Sequence, residues 1–378
     1  MNNLHISLTE MKNESRVLKQ TSSIYSSESF ENVFVASLWG ESLALEEDLD
    51  GINLKRFDLK TRNFGNNLVV QLLKYFEFGL SIFSRYRKES IGIITIHSLA
   101  LLPIGVILKF LYGAKLIYDA HELETEKNGL HGIRKILSKK VEKLLIRFVD
   151  HTVVVSKSIE RWYKKHYPNS KVTVVFNAPI VKNVQKTTLL RDRFDIQPDT
   201  KLYIYQGGLK PGSGVEQILE VFKKTKKNVA VVFMGYGVSE GDIIESSKEH
   251  ENIYYLPAVA PSEVLSYTSS ADIGLSFVEA VCLSYSYCMP NKVFEYLASG
   301  LPVIVSDCID MKSFIQEHDN SIGWYSENFS VSELTRLIEQ TSNIDTSTYR
   351  EQCRKVSEKY KWQHQEKVLL EIYQSMVE

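Results

Sequence analysis

A chain of 378 residues is long enough to bury two separate cores, and a net charge of −1 with 24% charged residues excludes a nucleic-acid binder driven by phosphate attraction. Its four cysteines, Cys282, Cys288, Cys308 and Cys353, all lie in the C-terminal half and form no CxxC pair. That argues against a zinc site or a disulfide framework and fits a reducing cytosol.

The N-terminal stretch "MNNLHISLTEMKNESRVLKQ" has no apolar run of signal-peptide length. Apolar, β-branched runs then recur between helical patterns: "ENVFVASLW", "GIITIH", "KLIYDAHE", "HTVVVS" and "KVTVVFN" in the first half. The second half has "KLYIYQGG", "VAVVFMGYG", "NIYYLPAV", "ADIGLSFV" and "LPVIVSD". Near-continuous apolar strands alternating with helices predict parallel sheets covered on both faces, and so an α/β chain of two Rossmann-like, doubly wound domains. The run from Ser98 to Tyr118, broken by Pro103, Lys109, Gly113 and Lys115, reads as a buried helix followed by a strand rather than a membrane span. Periodicity fades after Pro179, which places the linker near residues 180–190 and the domains at 1–182 and 183–357.

In open α/β sheets ligands bind beyond the carboxyl ends of the strands. That rule selects His97 and "DAHELE" (Asp119 to Glu124) in the first half, and "QGGLKPGSG" (Gln206 to Gly214), "GYG" and "PAVAP" in the second. The glycine loop is neither a Walker A nor a GxGxxG sequence. Its glycines serve either turn geometry alone or the close approach of a phosphate. In "CMPNKVFEYLASGLPVIVSD" (288–307), Asn291 reads as the N-cap, Gly300 and Pro302 as the stop, and Val293, Phe294 and Leu297 as the core stripe. Lys292, Glu295 and Ser299 share another face. Two readings stay open there: a solvated Lys–Glu pair, or a carboxylate taking a ribose diol while Lys292 and helix N–H groups hold a diphosphate.

In "HGIRKILSKKVEKLLIRF", Ile133, Leu137, Val141, Leu144 and Phe148 form one helical stripe and Lys135, Lys139, Lys143 and Arg147 recur every four residues. This is either a basic, solvated face on a packed helix or a peripheral contact with an anionic membrane surface. "KYFEFGLSIFSRYRKE" is a second basic and aromatic candidate.

"PNKVFEYLASGLPVIVSD" resembles the nucleotide-binding signature of family 4 glycosyltransferases, the large retaining GT-B group. Within that group it looks most like the surface-polysaccharide subset with PNKxFEYxAxGxPVI. "NESRVLKQ", "KLIYDAHELETE", "FVDHTVVVSKSIERWYKKHYP", "VTVVFNAP", "LYIYQGGLKPGSGVEQILEVF", "VVFMGYG" and "SSADIGLSFVEA" agree in order and spacing. The resemblance implies two domains facing a central cleft, with a C-terminal helix (358–378) crossing back to the N-terminal domain after a break near Tyr360.

It implies that Glu295 binds the donor ribose, that Met289 to Lys292, including Asn291, lie against the diphosphate, and that Gly207 and Gly208 form the turn below it. Val259 matches the position meeting the base, and His121 the catalytic-site histidine facing the transferred sugar. His97, Asp119, Glu122 and Arg16 fall to the acceptor side of the cleft. The chain departs from the family pattern at Tyr287, where a first glutamate is usual, and at Gly208 and Ser213, where an arginine and a lysine are usual; Lys210 and Lys292 are the replacement cations.

The expected activity is retaining transfer of a hexosyl unit from a nucleotide-diphosphate sugar to a hydroxyl of a saccharide or lipid-linked saccharide. No cofactor, no metal and no nucleic acid are expected, with the protein in the cytoplasm and peripheral at the inner face of the cell membrane. A catalytically silent GT-B partner or glycan-binding protein, and a nucleotide-sugar 2-epimerase, are the rival readings.

Overall fold

The computed structural model describes every residue except 13, 66, 182, 183, 226, 227 and 378, and the side chain of residue 68. The chain divides into two compact units, Met1–Val175 with Glu366–Glu378, and Phe176–Gln365. The expected domain boundary falls on residues 182 and 183, outside the described residues.

Unit 1 is built on strands β1 (Asn2–Ile6), β2 (Val33–Leu38), β3 (Glu46–Leu49), β4 (Ile52–Phe57), β5 (Ile91–Ile96), β6 (Lys115–Ala120), β7 (His151–Val154) and β8 (Val172–Val174). They pair in the order β3-β4-β2-β1-β5-β6-β7-β8, all parallel except the β3–β4 hairpin at one edge. The strand order reverses at β1 and β5, so the crevice of this sheet lies beyond Ile6 and Ile96. The last helix, Trp362–Val377, follows Lys361 after the helix Ser347–Tyr360 ends. From Glu366 onward it belongs to unit 1, where Tyr373 is buried.

Unit 2 is built on β9 (Lys201–Gly208), β10 (Val229–Tyr236), β11 (Ile253–Pro257), β12 (Ile273–Ser276), β13 (Val303–Val305) and β14 (Gly323–Tyr325). All pairs are parallel, in the order β11-β10-β9-β12-β13-β14, the doubly wound dinucleotide-fold arrangement with its reversal between β9 and β12. Two apolar layers sandwich the sheet. One holds Val293, Phe294, Tyr296 and Leu297; the other holds Val215, Ile218 and Phe222.

Both sheets match the expected α/β class, and all ten strands expected from sequence form. Four more do so as well: β1, β3, β4 and β14. No helix among the described residues is long and apolar enough to cross a membrane.

Candidate active site

In unit 2 the chain leaves β9 through Gly207 and Gly208. Gly207 has φ +115, a left-handed conformation that favours glycine. A Cβ there would meet only the end of the Lys292 side chain, at 3.6 and 3.7 Å, and one on Gly208 would meet nothing within 4 Å. Gly214 differs: φ is +81 and a Cβ would lie 1.7 Å from the Phe277 carbonyl oxygen. The loop therefore divides its glycines. Gly214 lets the following helix pack on the chain leaving β12, whereas Gly207 and Gly208 leave open space at the sheet edge.

Lys292 reaches back over this turn, with Nζ 3.7 Å from the centroid of the Tyr205 ring, while the Tyr205 hydroxyl donates to the Gly208 carbonyl at 2.9 Å. Glu295, one turn further along the helix Asn291–Ala298, accepts from Gln206 Nε2 at 2.5 Å, and Gln206 Oε1 accepts from Thr268 at 2.7 Å. Gln206 is buried at the end of β9, so the carboxylate is aimed by a side chain that the sheet itself fixes. Lys292, Glu295, Gly207 and Gly208 thus come together at the reversal point of the strand order.

Two expectations about the stretch 288–307 are corrected. Asn291 is the first helical residue and not the N-cap: Pro290, extended at φ −67 and ψ 143, holds that place, and no side chain caps the helix. Ser299 does not share the polar face, because it is buried and its hydroxyl donates to the Leu265 carbonyl at 3.3 Å. Ser213, where the family pattern has a lysine, is a turn residue whose hydroxyl donates to the Lys210 carbonyl while the Lys210 N–H donates to it at 3.3 Å. Lys210 itself is exposed, and Val259 packs from the loop after β11 against the unit 2 core. Glu279 donates its N–H to the Gly212 carbonyl at 3.0 Å, so the chain leaving β12 runs along the glycine loop.

In unit 1, Asp119 stands one residue before the end of β6 as a fully buried carboxylate. Arg16 binds it in a fork, with Nη2 2.6 Å from Oδ1 and Nε 3.0 Å from Oδ2. Gln20, His97 and His121 add contacts to Oδ2 at 2.9, 3.1 and 3.0 Å. Burial opposes the charge, but Arg16, then His121 and His97, hold the carboxyl well below the usual carboxylate range. Burial, with help from neighbouring His97, pushes His5 well down, and burial pushes His97 down in spite of Asp119.

With both rings neutral the protons fall into one order. Tyr373 donates to His5 Nε2 (3.5 Å), His5 Nδ1–H to His97 Nε2 (2.9 Å), and His97 Nδ1–H to Asp119. His121 turns Nε2–H toward Asp119, and its side chain remains 27% exposed.

Arg16, His97, Asp119 and His121 therefore form one cluster. Glu122 pairs with Lys127 at 3.8 Å. Sequence reasoning missed His5, Gln20 and Tyr373, whose only signal was polar residues within apolar patterns. His97, Asp119 and His121 offer three metal-ligand atoms within 4.8 Å of one another, but Arg16 already neutralises the carboxylate a cation would use.

A second recess in unit 1, of about 440 Å³, lies at the carboxyl ends of β1, β2 and β4 between Trp39, Phe57, Phe78, Arg62 and Lys74.

Residues 186–360 match the family model "Glycosyl transferases group 1", and residues 32–178 match "Glycosyltransferase Family 4". A relative from Kluyveromyces lactis, chitobiosyldiphosphodolichol beta-mannosyltransferase, is 21% identical over 316 residues, which span 72% of this chain and 69% of that one. Among solved structures, sucrose-phosphate synthase from Thermosynechococcus elongatus superposes with a TM-score of 0.79 at 13% identity, over 100% of this chain and 99% of that chain. Anabaena HepE, in complex with UDP, superposes with a TM-score of 0.74 at 14% identity, over 99% and 100% of the two chains. One glycosyltransferase model thus matches each half of the chain, and the chain folds as these structures do, with the GT-B fold.

Proposed function

We propose that the chain moves a hexosyl unit from a nucleotide-diphosphate sugar to a hydroxyl of a lipid-linked saccharide, with retention of anomeric configuration, in assembly of a bacterial surface polysaccharide or related glycan. The work is done in the cytoplasm at the inner face of the membrane. The observation that carries this reading is the convergence of Glu295, Lys292 and the open Gly207–Gly208 turn at the reversal point of the unit 2 sheet. Glu295 takes the ribose diol, Lys292 and the first turn of its helix take the diphosphate, and Val259 meets the base through its backbone. UDP bound to Anabaena HepE and the lipid-diphosphate acceptor in the name of the Kluyveromyces lactis relative support the two substrate classes.

Catalysis in this reading is electrostatic. Charge developing on the leaving diphosphate is stabilised by Lys292, Lys210 and helix N–H groups, and the diphosphate takes the proton of the incoming hydroxyl on the same face. His121, its ring set by Asp119, hydrogen-bonds the transferred sugar. No metal enters, so activity persists in excess EDTA. The anomeric proton coupling of the product tests retention, a pointed test because the Kluyveromyces lactis relative is named for a β-linked product.

Calorimetric titration with UDP-, GDP-, dTDP- and ADP-sugars is the primary test. One donor binds, and Glu295→Gln weakens it about 10- to 100-fold, the loss of a charge-assisted bond of roughly 1.5–3 kcal/mol. If no donor binds wild type, the silent reading favoured by Tyr287, Gly208 and Ser213 replaces this one. Full affinity in Glu295→Gln refutes the donor site.

A further inference from the structure

Three helices of unit 1 lie side by side and each turns an apolar stripe to solvent. They are Leu68–Tyr86, Leu102–Tyr112 and Gly132–Leu145, which follow β4, β5 and β6. Right-handed crossovers running in one direction along the sheet put all three on the same face. Phe83 of the first packs on Tyr112 of the second at 5.9 Å between ring centroids, and Phe110 of the second meets Phe148, just past the third, at 5.6 Å.

On the first helix Val69, Leu72, Phe76 and Leu80 recur at helical spacing and are all exposed, Phe76 to 68%. On the second, Ile107, Phe110 and Leu111 continue the surface, with Phe110 63% exposed. The third extends it further. Ile133, Leu137 and Leu144 do not pack inward but lie exposed, Ile133 to 81%, because the buried position of this helix is taken by Glu142, bonded to Tyr163 and Tyr167. Monomeric proteins rarely leave so broad an apolar face uncovered.

Along the third helix the exposed charges have one sign. From residue 132 to 148 the exposed ionic side chains are Arg134, Lys139, Lys140, Lys143 and Arg147, with Lys135 half-buried, and the sole acid, Glu142, is inside. Lys135 and Lys139 pair with Glu126 at 2.6 and 2.5 Å, so part of the cationic charge is offset. An apolar stripe flanked by cations suits the boundary between acyl chains and anionic headgroups, whereas a protein partner has no need of a single sign of charge.

We propose that this three-helix face seats unit 1 on an anionic lipid bilayer, with Phe76, Phe110 and Ile133 entering the headgroup–acyl boundary. The proposal deepens the membrane part of the reading above and does not depend on the donor site.

The test is flotation of the full chain with vesicles of phosphatidylcholine containing 30% phosphatidylglycerol, against phosphatidylcholine alone. Wild type floats with the anionic vesicles, and binding falls severalfold in high salt. Phe76→Ser/Phe110→Ser/Ile133→Ser reduces binding at least tenfold while its melting temperature and its donor affinity match wild type, which separates loss of the face from loss of the fold. Lys140→Glu/Lys143→Glu reduces binding to anionic vesicles only. Absence of flotation, unchanged flotation of the triple serine variant, or a wild-type dimer that the triple variant converts to monomer would each overturn the proposal, the last by assigning the face to a second copy of the chain.

Discussion

Glu142 gives the sharpest physical test of unit 1. It is fully buried on the helix Gly132–Leu145, receiving hydrogen bonds from Tyr163 at 2.6 Å, Tyr167 at 3.0 Å and Tyr118 at 3.5 Å. Burial pushes its carboxyl from 4.5 up to about 7, against the opposing pull of the tyrosine hydroxyls. At about 1.4 kcal/mol per pH unit, that difference amounts to roughly 3 kcal/mol.

The folded state holds the proton more tightly than the unfolded state. This contribution is therefore fully present below pH 4.5 and is lost as pH rises through 7. Glu142→Gln keeps the shape and imitates the protonated form, so it should match wild type near pH 5 and exceed it at pH 8. For a unit of this size about 2–4 °C follows each kcal/mol, which predicts a separation of about 6–12 °C at pH 8. Thermal melts of both proteins across pH 5–8 measure it, and other titrating groups cancel in the difference. A constant offset between the two curves over that range would refute the argument.

Removing Arg16 as Arg16→Met leaves Asp119 charged, buried and without its cation, and should cost about 3–5 kcal/mol in urea unfolding. His5 and His97 titrate in the sense opposite to Glu142. Their lowered values mean that stability present above the ordinary histidine value of 6.5 is lost as pH falls through the folded-state value. His5→Asn, neutral throughout, should flatten the acid limb of a melting curve between pH 6.5 and 5, and an unchanged limb would count against the neutral-ring assignment. In the glycine loop, Gly214→Ala should destabilise unit 2 by several kcal/mol through strain and a clash with Phe277, whereas Gly208→Ala should leave its melting temperature within about 2 °C.

The sequence showed the strands that are buried on both faces, because Val and Ile runs such as "VAVVFM" carry one meaning wherever they occur. It hid β1, the central strand of unit 1, since "NNLHI" looks polar. Asn2, Asn3 and His5 are nevertheless buried there, held by partners distant in sequence such as Ile93 and His97. β3 and β4 were hidden for another reason: an edge hairpin of "EEDL" against "INLKRF" is half solvated and lacks a continuous apolar run. β14 is only "GWY", three residues with none of the Val and Ile that mark the equally short β8 and β13.

The stripe on the helix 132–145 left two readings open because helical spacing identifies a face without telling which way it points. Glu142 decides that here, through tyrosines twenty or more residues away. Glu295 and Lys292 were legible as a pair, but the Gln206 side chain that aims Glu295 lies across the sheet, at a separation no local pattern reports.

The two clusters are built for different electrostatic tasks, and the contrast bears on mechanism. Asp119 spends its charge inside the protein. Arg16, Gln20, His97 and His121 saturate it, so it is not available as a base, and its remaining use is to fix the ring of His121, the member of the set with an exposed surface. Lys292 and the turn Gly207–Gly208 do the reverse: a cation rests against an aromatic face beside open backbone, and no side chain caps its helix, so donors remain for an incoming anion. If Lys292 neutralises charge arriving with the donor, as proposed, and Asp119 only orients His121, the two should separate in kinetics. Lys292→Met should lower donor affinity and turnover together, while Asp119→Asn, read at a temperature where it stays folded, should lower turnover with donor affinity unchanged. Equal effects of both substitutions on donor affinity would contradict that division.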